Sequence, residues 1–297
     1  MTVGVLTQCL VNGLVISGTF VLIVLGLDLI LRVTRILNFA HGQFYTIGAY
    51  TFWFSYCGLH LSIGLALVLT VSALIILGAS SYLSIFRTVQ RRFTPGIPFT
   101  SRLLLSAMAS IGLMMLLEQA TVLSFGAETR GVPSIFPQVL VIGNVTLPVE
   151  KLVIILISGL ITIGLFLFLF KTRLGKAMRA VSLDAEVSSL LGINSYWVSL
   201  LGFIIGCGIS GISGAMIAPV FAVTQDMGHQ IMFLPFLIIM VGGVGSYKGG
   251  ILGSLMVGLL MSFGYQFMGG LSRVFLFVAI LVFIVFRPGG FAGLVHD

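Results

Sequence analysis

The sequence predicts an all-α, polytopic integral membrane protein with about eight to nine membrane-spanning or half-spanning helices. Three observations predict it. Of 297 residues, 58% are hydrophobic and only 8% charged, against about 25% charged in an ordinary soluble domain. The apolar residues gather into runs near the length of about 20 that a helix needs to cross a bilayer. The basic residues lie in the short loops beside those runs, where topology signals belong.

Taken in order, the opening MTVGVLTQCLVNGL has no basic n-region and no obvious cleavage site. The run at 8–31 is therefore expected to be a retained helix and not a removed signal peptide. Further runs fall at 39–57, 62–86, 103–124, 151–170, 199–219, 231–243, 250–268 and 272–286. The 231–243 run is short for a bilayer and 39–57 is broken by polar and glycine residues, so half-helices or tilted pieces are expected there. The loop at 125–150, with its prolines and the alternating VLVIGNVTL, suggests an extended ribbon on the membrane surface. It is read either as a plain connector or as part of a docking surface for an extracytoplasmic partner. No low-complexity linker divides the chain, so 1–297 reads as a single transmembrane domain.

Threading the runs alternately places Arg32, Arg35, Arg87, Arg91, Arg92, Arg102, Lys171, Arg173, Lys176, Arg179, Lys248 and Arg287 on one side. Only Arg130, Lys151 and Arg273 fall on the other. This positive-inside bias makes the first side cytoplasmic, with the N-terminus outside and the C-terminus cytoplasmic. The net charge of +7 thus reports topology and gives no reason to expect nucleic-acid binding.

Chemistry-bearing motifs are scarce. RLGKAM carries a Gly-Lys, but Ala177 follows where a phosphate-binding loop needs Ser or Thr. There is no nucleophile elbow, no H-E-x-x-H and no Cys/His cluster with metal spacing. His41, His60, His229 and His296 are scattered. No catalytic residue, metal or cofactor is expected, so a pump of this sequence needs energy from another chain or an ion gradient.

Polar residues within the spans are functional candidates by default, because ionisable or amide groups there are costly. Asp28 precedes Arg32 by four residues, the spacing that pairs them on one helix face. Glu118 and Gln119 lie deeper in the fourth run with no basic residue near them in that segment. Asn12 lies in the first run. The most specific local pattern is LNFAHGQFYTIGAY (37–50), where Asn38, His41, Gly42 and Gln43 interrupt apolar sequence. Non-helical backbone at membrane depth survives only where protein or a cavity covers it. A second break, VGGVGSYKGGILGS (241–254), occupies a comparable place in the latter half, and paired breaks of this kind point to a translocation site. Tight re-entry turns are the alternative. Small residues recur every four positions at Gly202, Gly206, Ser210, Gly214 and Ala218, and again at Gly245, Gly249 and Gly253. That spacing lets helices approach closely.

The island KTRLGKAMRAVSLDAEVSSLLGINSYWV (171–198) is soluble-looking sequence between two uncharged runs. Leu183, Val187, Leu190 and Leu191 fall at i, i+4, i+7 and i+8, one face of a short helix. Ser182 is its expected N-cap, Asp184 and Glu186 favour the positive end of the helix dipole, and Gly192 closes it. The readings are a helix lying on the membrane surface or one that inserts its apolar face into a groove on a cytoplasmic partner.

LNFAHGQFYTIGAY, GKAMRAVSLDAEVSSLLGIN, VGGVGSYKGGILGSLMVG and the terminal FRPGGFAG together resemble the permeases of branched-chain amino acid ABC importers, of the type carrying NFAHG. These landmarks run in order from about residue 8 to 293. The resemblance implies a bacterial inner-membrane permease subunit that pairs with a second homologous permease. Two cytoplasmic ATPase subunits and a periplasmic substrate-binding protein complete such systems. It also implies an ATPase-coupling role for Leu183, Asp184, Ala185, Glu186, Val187, Leu190, Leu191 and Gly192. Relatives often carry Asp-Pro-Glu where this chain has Asp184-Ala185-Glu186, which leaves the start of the coupling helix open. The expected solute is a branched-chain amino acid, with urea, short amides or aromatic and small carboxylates as alternatives. The tentative pathway set is Asn12, Asn38, His41, Gln43, Glu118 and Gln119. The rival from another class is an ion-coupled secondary transporter using Asp28 or Glu118 as its coupling carboxylate.

Overall fold

A computed structural model describes residues 3–92, 99–142, 145–243 and 245–292 of the chain. The apolar runs are helices in the order expected. They begin with α1 (Val3–Thr34), α2 (His41–Trp53), α3 (Ile63–Ser81), α4 (Arg87–Arg92) and α5 (Phe99–Phe125). A short ribbon of β1 (Val139–Ile142) and β2 (Val145–Pro148) precedes α6 (Val149–Lys171), α7 (Arg173–Leu183) and α8 (Ala185–Leu190). The chain ends with α9 (Ser195–Ile217), α10 (Met227–Ile231), α11 (Leu234–Gly242), α12 (Tyr247–Met268) and α13 (Ser272–Phe286). π-helical turns continue α2 at Phe54–Gly58 and α3 at Tyr82–Phe86.

Among the described residues, six helical stretches are long and apolar enough to cross a membrane, the last of them Tyr247–Phe286, which holds both α12 and α13. The two runs expected to be short or broken are short. α2 has 13 residues before its π turn and α11 has nine. The protein is an all-α, multi-pass membrane protein.

The helices group into two compact units. The first comprises Met1–Leu25, Pro133–Thr162 and Phe233–Asp297; the second comprises Gly26–Val132 and Ile163–Met232.

In the second unit, α9 is the central element. Two thirds (67%) of its most apolar window is buried, against 22% in the stretch holding α3, which leaves apolar side chains for lipid. Small residues make that burial possible. A Cβ on Gly206 would lie 2.5 Å from the Gly26 carbonyl oxygen, and one on Gly48 would strike the Gly211 backbone. α1, α2 and α9 therefore meet backbone against backbone, as the four-residue spacing of small residues predicts. Around this contact Phe44, Tyr82, Phe86 and Phe203 form an aromatic core, with Phe86 and Phe203 ring centroids 5.1 Å apart.

In the first unit, the break after α11 is built from left-handed glycines, Gly243 (φ 94°) and Gly245 (φ 93°), a conformation side chains disfavour. Ser246 caps α12 by accepting from the Gly249 N–H at 3.0 Å. The C-terminal FRPGGFAG completes the junction: the N–H groups of Phe291 and Ala292 donate to the Val241 and Gly242 carbonyls at 2.9 and 3.0 Å. These are end-of-helix carbonyls that α11 cannot satisfy itself. The last residues of that tail, 293–297, with His296, lie outside the described residues. The alternating VLVIGNVTL forms the β1–β2 antiparallel pair, register Val139↔Pro148 to Ile142↔Val145. Its tip at 143–144 also lies outside the described residues.

Candidate functional site

The chain between α1 and α2 leaves the helix at Arg35, whose φ is +54°, and runs irregularly to Ala40. Its backbone groups are satisfied by two serines one turn apart on α5. The Leu37 N–H donates to Ser106 Oγ at 3.2 Å and the Phe39 N–H to Ser110 Oγ at 3.0 Å. Ser110 Oγ in turn donates to the Leu37 carbonyl at 3.0 Å. This is the cover that irregular backbone needs in an apolar setting. The sequence reading missed Ser106 and Ser110, although their i, i+4 spacing on one face of the fourth run was the available signal.

The break delivers Asn38, His41 and Gln43 into the protein interior, at 0%, 2% and 1% exposure. The Ser210 hydroxyl from α9 donates to the His41 carbonyl at 3.3 Å. Both amide atoms of Asn38 and both of Gln43 are buried, with no hydrogen-bond partner among the described residues. Buried amides are normally paired, because desolvating them unpaired costs about 1–3 kcal/mol. Four such atoms lie near the start of one helix. Tyr50, seven residues after Gln43 and so on the same helix face, adds a buried hydroxyl of the same kind.

α10 closes over this face. A Cβ on Gly228 would lie 2.7 Å from both the Gly42 carbonyl oxygen and Thr46 Oγ1. The next residue, His229, places Nδ1 3.2 Å from Glu118 Oε1. Glu118 thus has a partner that its own segment could not reveal. Its neighbour Gln119 is on the exposed side of α5. The structure brings Asn38, His41, Gln43 and Glu118 into one unit. Asn12 belongs to the other unit, where Lys151 Nζ donates to its Oδ1 at 2.8 Å. Asp28 is 3% exposed and lies 2.9 Å from Arg32 Nε, so the i, i+4 pairing expected from sequence forms. That carboxylate is held in an ion pair with Arg32.

The island resolves into two helices, and here the structure corrects the expected cap. Ser182 does not start the short helix, because its hydroxyl donates back to the Arg179 carbonyl at 2.7 Å within α7. Asp184 is the N-cap instead: its Oδ1 accepts from the N–H groups of Glu186 and Val187 at 2.8 and 3.0 Å. Gly192 closes α8 at φ +84°, as expected. Leu183 consequently ends α7, while Val187 and Leu190 lie on α8 and Leu191 caps it. All four remain exposed, Leu190 at 86% and Leu183 at 81%. The basic half of the island is a helix in its own right. α7 buries Gly175, Met178 and Val181, and Thr172 caps it by accepting from the Gly175 N–H at 3.0 Å. Arg35 ties the first span to this segment by donating from Nη2 to the Leu183 carbonyl at 2.9 Å.

Comparison with known proteins bears on this arrangement. The BraD permease of a high-affinity branched-chain amino acid transport system in Pseudomonas aeruginosa is 29% identical over 297 residues, covering 96% of this chain and 95% of that protein. LivH, the corresponding permease of Escherichia coli, is 26% identical over 298 residues with the same coverage. A probable LivH of Methanocaldococcus jannaschii is 24% identical over 253 residues, 84% of this chain and 78% of that protein. PsaBC from Streptococcus pneumoniae, solved in complex with Fab, gives a TM-score of 0.49 at 13% identity over 95% of this chain and 90% of that one. Residues 9–286 match the family described as the permease component of branched-chain amino acid transport systems. With its broken first-half span, glycine-built second break and apolar helical rung between spans, the chain belongs to that permease family.

Proposed function

We propose that this chain forms the translocation pathway for branched-chain amino acids in an ABC importer of the bacterial inner membrane. ATP hydrolysis takes place in two separate cytoplasmic ATPase subunits. A second, homologous permease subunit and a periplasmic substrate-binding protein complete the assembly within the membrane lipids. The N-terminus lies outside and the C-terminus in the cytoplasm, in keeping with the Lys/Arg asymmetry of the loops.

The observation that carries this reading is α8. It is a six-residue helix, capped at both ends, that leaves Val187, Leu190 and Leu191 outside beside Leu183. Apolar side chains held outward by a rigid, hydrogen-bonded rung are suited to a dry groove on a partner. Force on α8 passes to the spans through two hydrogen bonds, Arg35 to the Leu183 carbonyl and the Ser195 hydroxyl to the Ala185 carbonyl at 2.9 Å, and through the close packing of α7. The solute is expected to move past His41 and past Asn38 and Gln43, whose amides have no partner among the described residues and offer both donors and acceptors. Asn12, Glu118 and Gln119 are further members of the proposed pathway.

The test is Leu190→Asp, which sets a charge in the groove. The variant is expected to insert and extract like wild type but to lose at least about tenfold in ATPase retained on affinity purification, the equivalent of one desolvated charge. Undiminished co-purification would remove the docking role.

A further inference from the structure

Beside the coupling segment, and wholly within the second unit, lies a cavity of about 510 Å³. Its floor is apolar, with Val33, Ile36, Tyr82, Phe86 and Val181 all buried. Its charged lining is lopsided: Arg35, Arg87 and Arg102 stand against Glu186. Arg87 carries the strongest sign of an unmet acceptor. Its guanidinium lies 4.6 Å from the centroid of the Tyr196 ring, and its Nε is buried without a hydrogen-bond partner among the described residues. A charged donor desolvated in this way is costly unless an acceptor, best an anionic one, meets it. Arg35 sits on the cavity in a left-handed backbone conformation that non-glycine residues seldom adopt, and such strain gathers at ligand sites.

We propose that this cavity is a binding site for a phosphate-bearing anion, held by the guanidinium groups of Arg35, Arg87 and Arg102. Guanidinium forks match phosphate oxygens in pairs, and arginines from different elements surround a tetrahedral group better than a single one can. The apolar floor accepts the uncharged stem of the ligand. The chemistry is shared by two sources, the headgroup of an anionic phospholipid and a soluble phosphate. Basic pockets between spans on the cytoplasmic side are suited to the first.

The site has a mechanical consequence, which rests on the docking role of α8. Ala185 and Glu186 line the cavity, whereas Val187, Leu190 and Leu191 do not. A bound anion and an ATPase groove seated on Val187, Leu190 and Leu191 therefore meet different faces of the same short helix. Whatever each does to the position of α8 alters the affinity for the other, and linkage makes that effect reciprocal. The anion site itself stands or falls without α8 docking.

The full-length chain, extracted and delipidated, is titrated with phosphatidylglycerol and with phosphatidylcholine and followed by native mass spectrometry. A parallel arm measures radiolabelled inorganic phosphate by equilibrium dialysis. The expected result is saturable binding of phosphatidylglycerol over phosphatidylcholine, or of inorganic phosphate, weakened about tenfold in Arg102→Gln and in Arg87→Gln. Loss in the lipid arm assigns the site to a headgroup, and loss in the phosphate arm to a soluble ligand. Arg102 is exposed, so Arg102→Gln carries the test even if Arg87→Gln loosens the fold through Tyr196. Binding of both probes by Arg102→Gln at wild-type strength, or by neither chain, overturns the proposal.

Discussion

Asn38 and Gln43 each place a full amide in the interior with neither end bonded to any described residue. For stability alone this is a poor arrangement, since an apolar side chain of similar size avoids the desolvation cost. Gln43→Leu is therefore expected to raise the unfolding free energy by about 1 kcal/mol, read as a higher Tm of the purified chain. The same variant is expected to lower amino acid uptake in the assembled importer about tenfold, the worth of one matched hydrogen bond to the solute. Unchanged uptake with raised stability would make Gln43 structural. Sequence spacing singled out the polar break, and Gln43 with it. It could not reveal that Ser106 and Ser110 satisfy the break's backbone, because their partners lie about 70 residues away in the chain.

At the scale of one element, α8 shows why a cap is harder to read than a face. Ser182 and Asp184 both suit an N-cap, and only the path of α7 decides between them. Ser182 still lies inside α7, so its hydroxyl bonds backward, whereas Asp184 is extended (φ −152°, ψ 114°) and free to accept from the next turn. Ala185 is then the first helical residue, whose N–H has no intrahelical acceptor. Proline suits such a place, the first helical position after an extended residue. Ala185→Pro is expected to keep ATPase retention at the wild-type level and to raise stability by about 0.4–1 kcal/mol, measured by thermal unfolding. A loss of both would mean that α8 starts elsewhere in the assembled transporter.

Across the whole molecule, the distribution of small residues sets which spans are central. α2 and α9 cross so closely that a side chain on Gly48 meets the Gly211 backbone, and one on Gly211 meets Leu74. Gly48→Val is expected to destabilise the second unit by about 1–3 kcal/mol or more, as overpacking does. Hydrogen exchange checks this: protection should fall in α2 and α9, while α12 in the first unit keeps its own. A uniform loss through both units would show that they unfold together. The sequence by itself determined the all-α class, the order of the spans, both breaks, the Asp28–Arg32 pair and the exposed leucines of the island. These follow from hydropathy, spacing and turn chemistry, which act over a few residues. Only the tertiary structure decided that His229 meets Glu118, that Arg35 holds the end of α7, that the serines of α5 cover the first break, and that three arginines from separate elements line one cavity. Each of these joins residues far apart in the chain, and a contact of that kind exists only once the helices have packed.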